Sequence, residues 1–237
     1  MGAIAAAVQA CRKRIEAACV DAGRNPESVC LLAVGKTFPA AAIREAHAAG
    51  LTAFGESYLQ EALAKLDALA DLSLEWHFIG PVQSNKTRAI AERFAWVHGV
   101  AREKIARRLS EQRPPGLPPL NVCVQVNVSG EASKHGVAPA SALELAHLIA
   151  GLPSLRLRGF MAIPEAHPDP ARLRQQFSLP RTLLERARAE GLAVDTLSMG
   201  MSADLESAIR EGATIVRIGS ALFGARSYPI EEQGRTP

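Results

Sequence analysis

Apolar positions along this chain change period repeatedly. Short runs rich in Val, Ile, Leu and Phe predict strands at 29–35, 52–55, 75–79, 94–98, 120–128, 156–163, 195–199 and 214–218. Between them, apolar residues recur at helical spacing over 40–49, 57–70, 84–92, 101–112, 139–150, 170–190 and 203–211. Gly50, Gly151, Gly191 and Gly212 stand just after helices, where a left-handed cap needs glycine. The first residues, MGAIAAAVQACRKRIEAACVDAG, read as an amphipathic helix ahead of the first strand. Eight strands with seven helical crossovers and a leading helix predict an α/β fold, a single (β/α)8 TIM barrel over residues 1–237. An open doubly wound sheet would announce a GxGxxG turn after its first strand, and none is present. The Pro-rich stretch RPPGLPP (113–119) reads as a surface loop, and the tail PIEEQGRTP (229–237) as frayed.

Composition narrows the classes. With 237 residues, 48% hydrophobic and 22% charged, the chain can bury a sizeable core. No apolar run approaches the roughly 18 residues of a membrane span, and the start lacks the basic-then-apolar order of a secretory signal. A cytoplasmic protein with no membrane contact is expected. Cys11, Cys19, Cys30 and Cys123 form no CxxC pair, and the six histidines no HxH or HExxH cluster, so no metal site is expected. Cys11 and Cys19 share one face of the first helix and read as small core residues. The net charge of +3 is mild, and the densest basic patch, Arg102–Arg108, contains Glu103 and has no nearby aromatic to stack bases. It reads as a solvated helix face, so no nucleic-acid partner is expected.

Candidate chemistry begins at LLAVGKTFP (31–39), an apolar run that stops at Lys36. Of six lysines, Lys13, Lys65 and Lys104 fall in helical patterns and read as solvated. Lys36, Lys86 and Lys134 follow strands one, three and five, at the end of a barrel where active sites lie. Lys36 alone follows its strand with no loop between, and rigid scaffold positions a reactive group best. An amine held there could attack a carbonyl, or be a strand-end charge reaching water. A phosphate-binding GxxxxGKT loop is excluded, because Cys30 stands where its first glycine belongs. At the far end, LSMGMSADLE and TIVRIGSALFGAR place Ser202, Gly219 and Ser220 after strands seven and eight, where barrels commonly hold a phosphate. Ser202 also fits as a helix N-cap. Strands one and eight are neighbours in a closed barrel, so one ligand could touch both groups. Pyridoxal 5′-phosphate held as a lysine imine fits this arrangement, as does a sugar-phosphate enzyme using a lysine imine. Arg217, two residues before Gly219, faces inward if the register holds, toward a pyridine nitrogen or a carboxylate across the barrel.

The segments LLAVGKTFP, FGESYLQEA, WHFIGPVQSNK, QVNVSGEASKHGV, GFMAIP and LSMGMSADLESAIREGATIVRIGSALFGAR resemble, in order from about residue 29 to 226, the pyridoxal phosphate homeostasis protein family (the YggS/PROSC family). The resemblance implies a barrel related to the N-terminal domain of alanine racemase, with Lys36 as the imine lysine. It further implies that Ser202, Gly219 and Ser220 bind the phosphate, and that Arg217 lies near the ring nitrogen. Two positions depart from the family pattern: Ser57 where asparagine is usual, and Gly35 where serine is common.

An arginine beside the ring nitrogen disfavours its protonation, which weakens the ring as an electron sink. Strong carbanion chemistry is therefore not expected. A small amino-acid racemase is the second reading, and it needs an acid/base group opposite the lysine. In the alanine racemase relatives this is a tyrosine from an added domain, whereas here only Tyr58 and Tyr228 exist. The expected role is a monomeric carrier of pyridoxal phosphate with little or no turnover, its candidate partners being apo-enzymes that need the cofactor.

Overall fold

The computed structural model describes residues 2–130, 135–165 and 169–224. Eight parallel strands close into a barrel in chain order: β1 (Cys30–Val34), β2 (Ala53–Glu56), β3 (Glu75–Phe78), β4 (Trp96–Val100), β5 (Leu120–Val126), β6 (Leu155–Ala162), β7 (Thr196–Ser198) and β8 (Ile215–Ile218). Around it lie α1 (Ala3–Asp21), α2 (Ala40–Ala48), α3 (Leu59–Ala68), α4 (Thr87–Arg93), α5 (Glu103–Gln112), α6 (Ala142–Ala150), α7 (Pro170–Ala189), α8 (Leu205–Arg210) and the short α9 (Ser220–Phe223). The expected barrel with its leading helix is present. Its seam is β1 on β8, with Leu32 opposite Arg217.

The strands are buried on both faces, which explains their near-continuous apolar runs. Side chains alternate: Phe54, Val97, Val122 and Phe160 meet the helices, while Leu32, Trp96, Cys123, Met161 and Ile215 fill the barrel. On α1, Val8, Cys11, Ile15, Ala18 and Cys19 form the buried stripe, and both cysteines are free thiols. That stripe packs on α8 and α9, beside the seam. Among the described residues no helix is long and apolar enough to cross a membrane.

Element ends differ where tertiary packing outbids local pattern. β4 begins at Trp96 rather than 94, because Phe94 caps α4 through its N–H to the Ile90 carbonyl and buries its ring. Gly50, Gly191 and Gly212 take the expected left-handed conformation, but Gly151 has φ −83° and gives no left-handed cap.

Gly159 shows where the backbone needs glycine. It has φ +146°, and a Cβ there would stand 2.1 Å from the Thr196 carbonyl oxygen of the neighbouring strand. Gly159→Ala is expected to cost about 3 kcal/mol, backbone strain and overpacking together. Thermal melting should register this as a Tm lower by about 6–12 °C for a chain of this size.

Candidate functional site

The strands' C-terminal ends open into a cavity of about 730 Å³, lined among others by Lys36, Ser202, Arg217, Gly219 and Ser220. Lys36 and Ser220, 184 positions apart in the sequence, therefore share one surface. Ser57, Tyr58 and Lys86 also line it. Lys134 and Tyr228, singled out in the sequence, and the tail 229–237 lie outside the described residues.

Lys36 sits half-buried in a tight turn directly after β1. Thr37 has φ +69°, a strained conformation for a β-branched residue and one that must be held by its surroundings. The turn is gripped on both sides of the lysine. Behind it, the Lys65 ammonium donates to the Gly35 carbonyl at 2.7 Å. Ahead of it, the Thr37 N–H donates to Glu61 Oε1 at 2.6 Å. Lys65 completes the clamp through Glu56 Oε1, at 2.8 Å, and through Glu61. The expectation that Lys65 is solvated is thus overturned: it is buried, 6% exposed. Its stem follows the inner face of α3 beside Ala62 and Leu66, and its charge finds one carboxylate at the end of β2, Glu56, and one in the first turn of α3, Glu61. The signal was a glutamate closing an apolar strand, followed by a Glu61–Lys65 pair at i,i+4.

Glu56 is fully buried, and its Oε2 has no hydrogen-bond partner among the described residues. Burial pushes its carboxyl up to about 7, with Lys65 and Lys36 opposing the shift. Between the usual carboxyl value of 4.5 and about 7, folding takes up a proton at Glu56. Stability should therefore fall as pH rises through that window, by at most about 3 kcal/mol, and level off above it. Glu56→Gln is expected to remove that slope, measured by denaturant unfolding across the window.

On the opposite side of the mouth, Ser202 follows Gly200, whose φ is +96° and whose carbonyl accepts from the Arg217 N–H. Ser202 is not the N-cap of α8; Asp204 occupies that position. The Arg14 guanidinium of α1 donates to the Ser202 carbonyl at 3.0 Å while gripping Glu206 with two nitrogens. The leading helix thereby anchors the loop from outside. Gly219 is the N-cap of α9, so the first N–H groups of α9 have no carbonyl of their own helix to bond. A Cβ at Gly219 would come within 3.3 Å of the Val34 carbonyl. The Phe38 and Phe223 rings, 5.0 Å apart, tie the lysine turn to α9.

Arg217 lies inside the barrel, 5% exposed. It donates to Ser198 Oγ at 2.9 Å, to the Ser198 carbonyl, and to the Ala162 carbonyl at 2.9 Å. Its hydrogen bonds go to a hydroxyl and two carbonyls, which sets aside the alternative of a carboxylate partner across the barrel. Burial lowers its pKa to about 10, so it stays charged at neutral pH. Among the described residues no group of His, Cys, Asp or Glu could hold a metal ion.

Residues 9–227 match the family model described as the N-terminal domain of alanine racemase. The chain is 63% identical to the pyridoxal phosphate homeostasis protein of Pseudomonas aeruginosa over 228 residues, covering 96% of this chain and 98% of that one. It is 50% identical to the protein of the same name from Escherichia coli K12, covering 92% and 94%. PipY of Synechococcus elongatus PCC7942, solved with pyridoxal phosphate bound, superposes with a TM-score of 0.82 at 37% identity, covering 93% of this chain and all of PipY. The chain belongs to the pyridoxal phosphate homeostasis protein family.

Gly35 and Ser57, the two departures implied by the resemblance, both lie beside the cavity and its clamp. A Cβ at position 35 would stand 2.8 Å from Glu56 Oε1 and 3.0 Å from Ile43 Cδ1. Serine there would push against the clamp carboxylate, so glycine and the buried Lys65–Glu56 pair go together in this chain. Ser57 packs its backbone on Gly80, where a Cβ would lie 2.3 Å from the Ser57 carbonyl oxygen, and lines the cavity with a shorter side chain than asparagine.

Proposed function

We propose that this family member binds pyridoxal 5′-phosphate on Lys36 and serves cofactor homeostasis as a carrier or buffer in the cytoplasm. The observation that carries the reading is the convergence of Lys36, Arg217, Ser202, Gly219 and Ser220 on one cavity. Its volume, about 730 Å³, suits a cofactor-sized ligand. In this reading Lys36 is the residue that would hold the cofactor covalently, as an imine through its aldehyde. Ser202, Gly219 and Ser220 hold the phosphate with hydroxyls and backbone N–H groups, and the Arg217 guanidinium donates toward the ring nitrogen. When bound, the cofactor would supply an electron sink, one that a charged arginine at the ring nitrogen keeps weak.

Among the described residues no second acid/base group stands fixed opposite Lys36, which disfavours racemase chemistry. Tyr58 follows the strand next to Lys36, and it is 55% exposed rather than fixed as a partner acid or base. The rim suits transfer to another protein: Tyr58, Ile163 at 44% and Met201 at 38% exposed present apolar surface around the mouth. The proposed recipients are apo-enzymes that need the cofactor, met by a monomer of this chain.

The test is to load the protein with pyridoxal phosphate, reduce it with borohydride and map the modified peptide, then incubate unreduced holoprotein with amino acids in deuterated water. A label on Lys36 with negligible α-proton exchange is expected. A label elsewhere overturns the site, and brisk exchange overturns the carrier role.

A further inference from the structure

A row of polar groups runs from Arg217 through the interior of the barrel to its opposite face. From the mouth downward, Arg217 Nη1 donates to Ser198 Oγ at 2.9 Å. Ser198 Oγ lies 2.7 Å from His98 Nδ1. His98 Nε2 lies 2.9 Å from His77 Nδ1, and His77 Nε2 lies 2.9 Å from Glu75 Oε1. Ser198 and His98 are fully buried and His77 is 1% exposed. Only the last member, Glu75, reaches solvent, at the first residue of β3 on the face opposite the mouth, with its side chain 51% exposed.

The acceptor-only carboxylate end of this row sets its direction. Glu75 accepts from His77 Nε2–H, so with neutral imidazoles His77 Nδ1 accepts from His98 Nε2–H. His98 Nδ1 then accepts from the Ser198 hydroxyl, whose oxygen accepts from Arg217. The Glu75 pKa is held down chiefly by its bond from His77. Both histidines are neutral in this scheme, and burial pushes both below the usual histidine value, His98 the further. The charged and titratable groups around the row fit it. Arg158 stacks on Trp96 at 4.6 Å and pairs with Asp195, and His77 stacks on the same Trp96 ring. Buried Cys123 stays a thiol, its pKa pushed up to about 12, and Asp204 acts on Arg217 from the mouth.

We propose that Ser198, His98, His77 and Glu75 form a one-way hydrogen-bond relay that positions Arg217 for the cofactor's ring nitrogen and couples that contact to the charge on Glu75. The proposal rests on the reading of the cavity as a pyridoxal phosphate site. Each donor in a chain of hydrogen bonds strengthens the acceptor before it, so the carboxylate at one end makes Ser198 Oγ a better acceptor at the other. These four are positioning residues; Arg217 alone would touch the ligand. By reciprocity, whatever Arg217 binds must alter the histidines, and Glu75 must alter its binding.

The experiment uses full-length protein without and with pyridoxal phosphate. In the cofactor-free chain, imidazole ¹⁵N spectra should show His98 and His77 as neutral Nε2–H tautomers, and Ser198→Ala and Glu75→Gln should each move the His98 resonances. With cofactor, His98→Leu and Ser198→Ala should weaken affinity about tenfold, the loss of one hydrogen bond to a charged group. Glu75→Gln, which keeps the shape of a half-exposed residue and should not perturb folding, should weaken it about threefold. In all three the borohydride label should stay on Lys36. The absorbance titration of bound cofactor should move to higher pH, because a looser guanidinium opposes ring protonation less. An Nδ1–H tautomer at His98 overturns the relay, as do affinity and titration unchanged in both Ser198→Ala and Glu75→Gln. Absence of any label on Lys36 in the parent protein overturns the reading of the site instead, and the tautomers still report the direction of the row.

Discussion

Lys36→Ala should leave the chain folded and deprive it of covalently held cofactor. The side chain is half-buried at the mouth and carries no part of the core, so Tm should stay within about 2 °C of the parent. Pyridoxal phosphate would then be held only by the phosphate loops and Arg217. Affinity should drop about a hundredfold, equivalent to about 2.7 kcal/mol. Equilibrium dialysis and borohydride reduction measure both effects. A variant that still yields a reducible adduct at Lys86, which lines the same cavity, would show that the lysine after β1 was wrongly chosen.

Lys65→Met has the largest expected effect on stability. It leaves Glu56 buried without its cation, places two carboxylates beside each other and strips the Gly35 carbonyl of a donor. Breaking one partner of a buried ion pair costs about 3–5 kcal/mol. For a chain of this length that lowers Tm by about 6–20 °C. The loss should be largest above pH 7, where Glu56 carries its charge, and smaller where it is protonated. Adding Glu56→Gln to Lys65→Met should recover part of the loss, because the buried uncompensated charge is then gone. Cofactor binding should weaken as well, since the strained Thr37 turn is held by the same clamp. A Lys65→Met protein with unchanged Tm would mean that Lys65 is as solvated as its helical pattern first suggested.

The sequence alone determined what depends on local periodicity and on chain order. Strands buried on both faces must be short and apolar, and covering helices must show one apolar stripe, so eight strands with seven helices between them wrote the barrel into the chain. A barrel brings its first and last strands together and its strand ends to one face, so the positions of Lys36, Arg217, Gly219 and Ser220 followed from counting. What only the tertiary structure decided are the partners of charged and polar side chains. Lys65 sits on α3 in a pattern that suits water equally well; the Gly35 carbonyl and Glu56 that hold it come from other elements, 30 and 9 residues away. His77, His98 and Ser198 stand singly in apolar strands, and His98 meets Ser198 across 100 residues. Periodicity tells which face of an element is inward. Which polar groups then meet inside is set by strand register and closure of the barrel, because a buried donor or acceptor must find its partner wherever the fold places one.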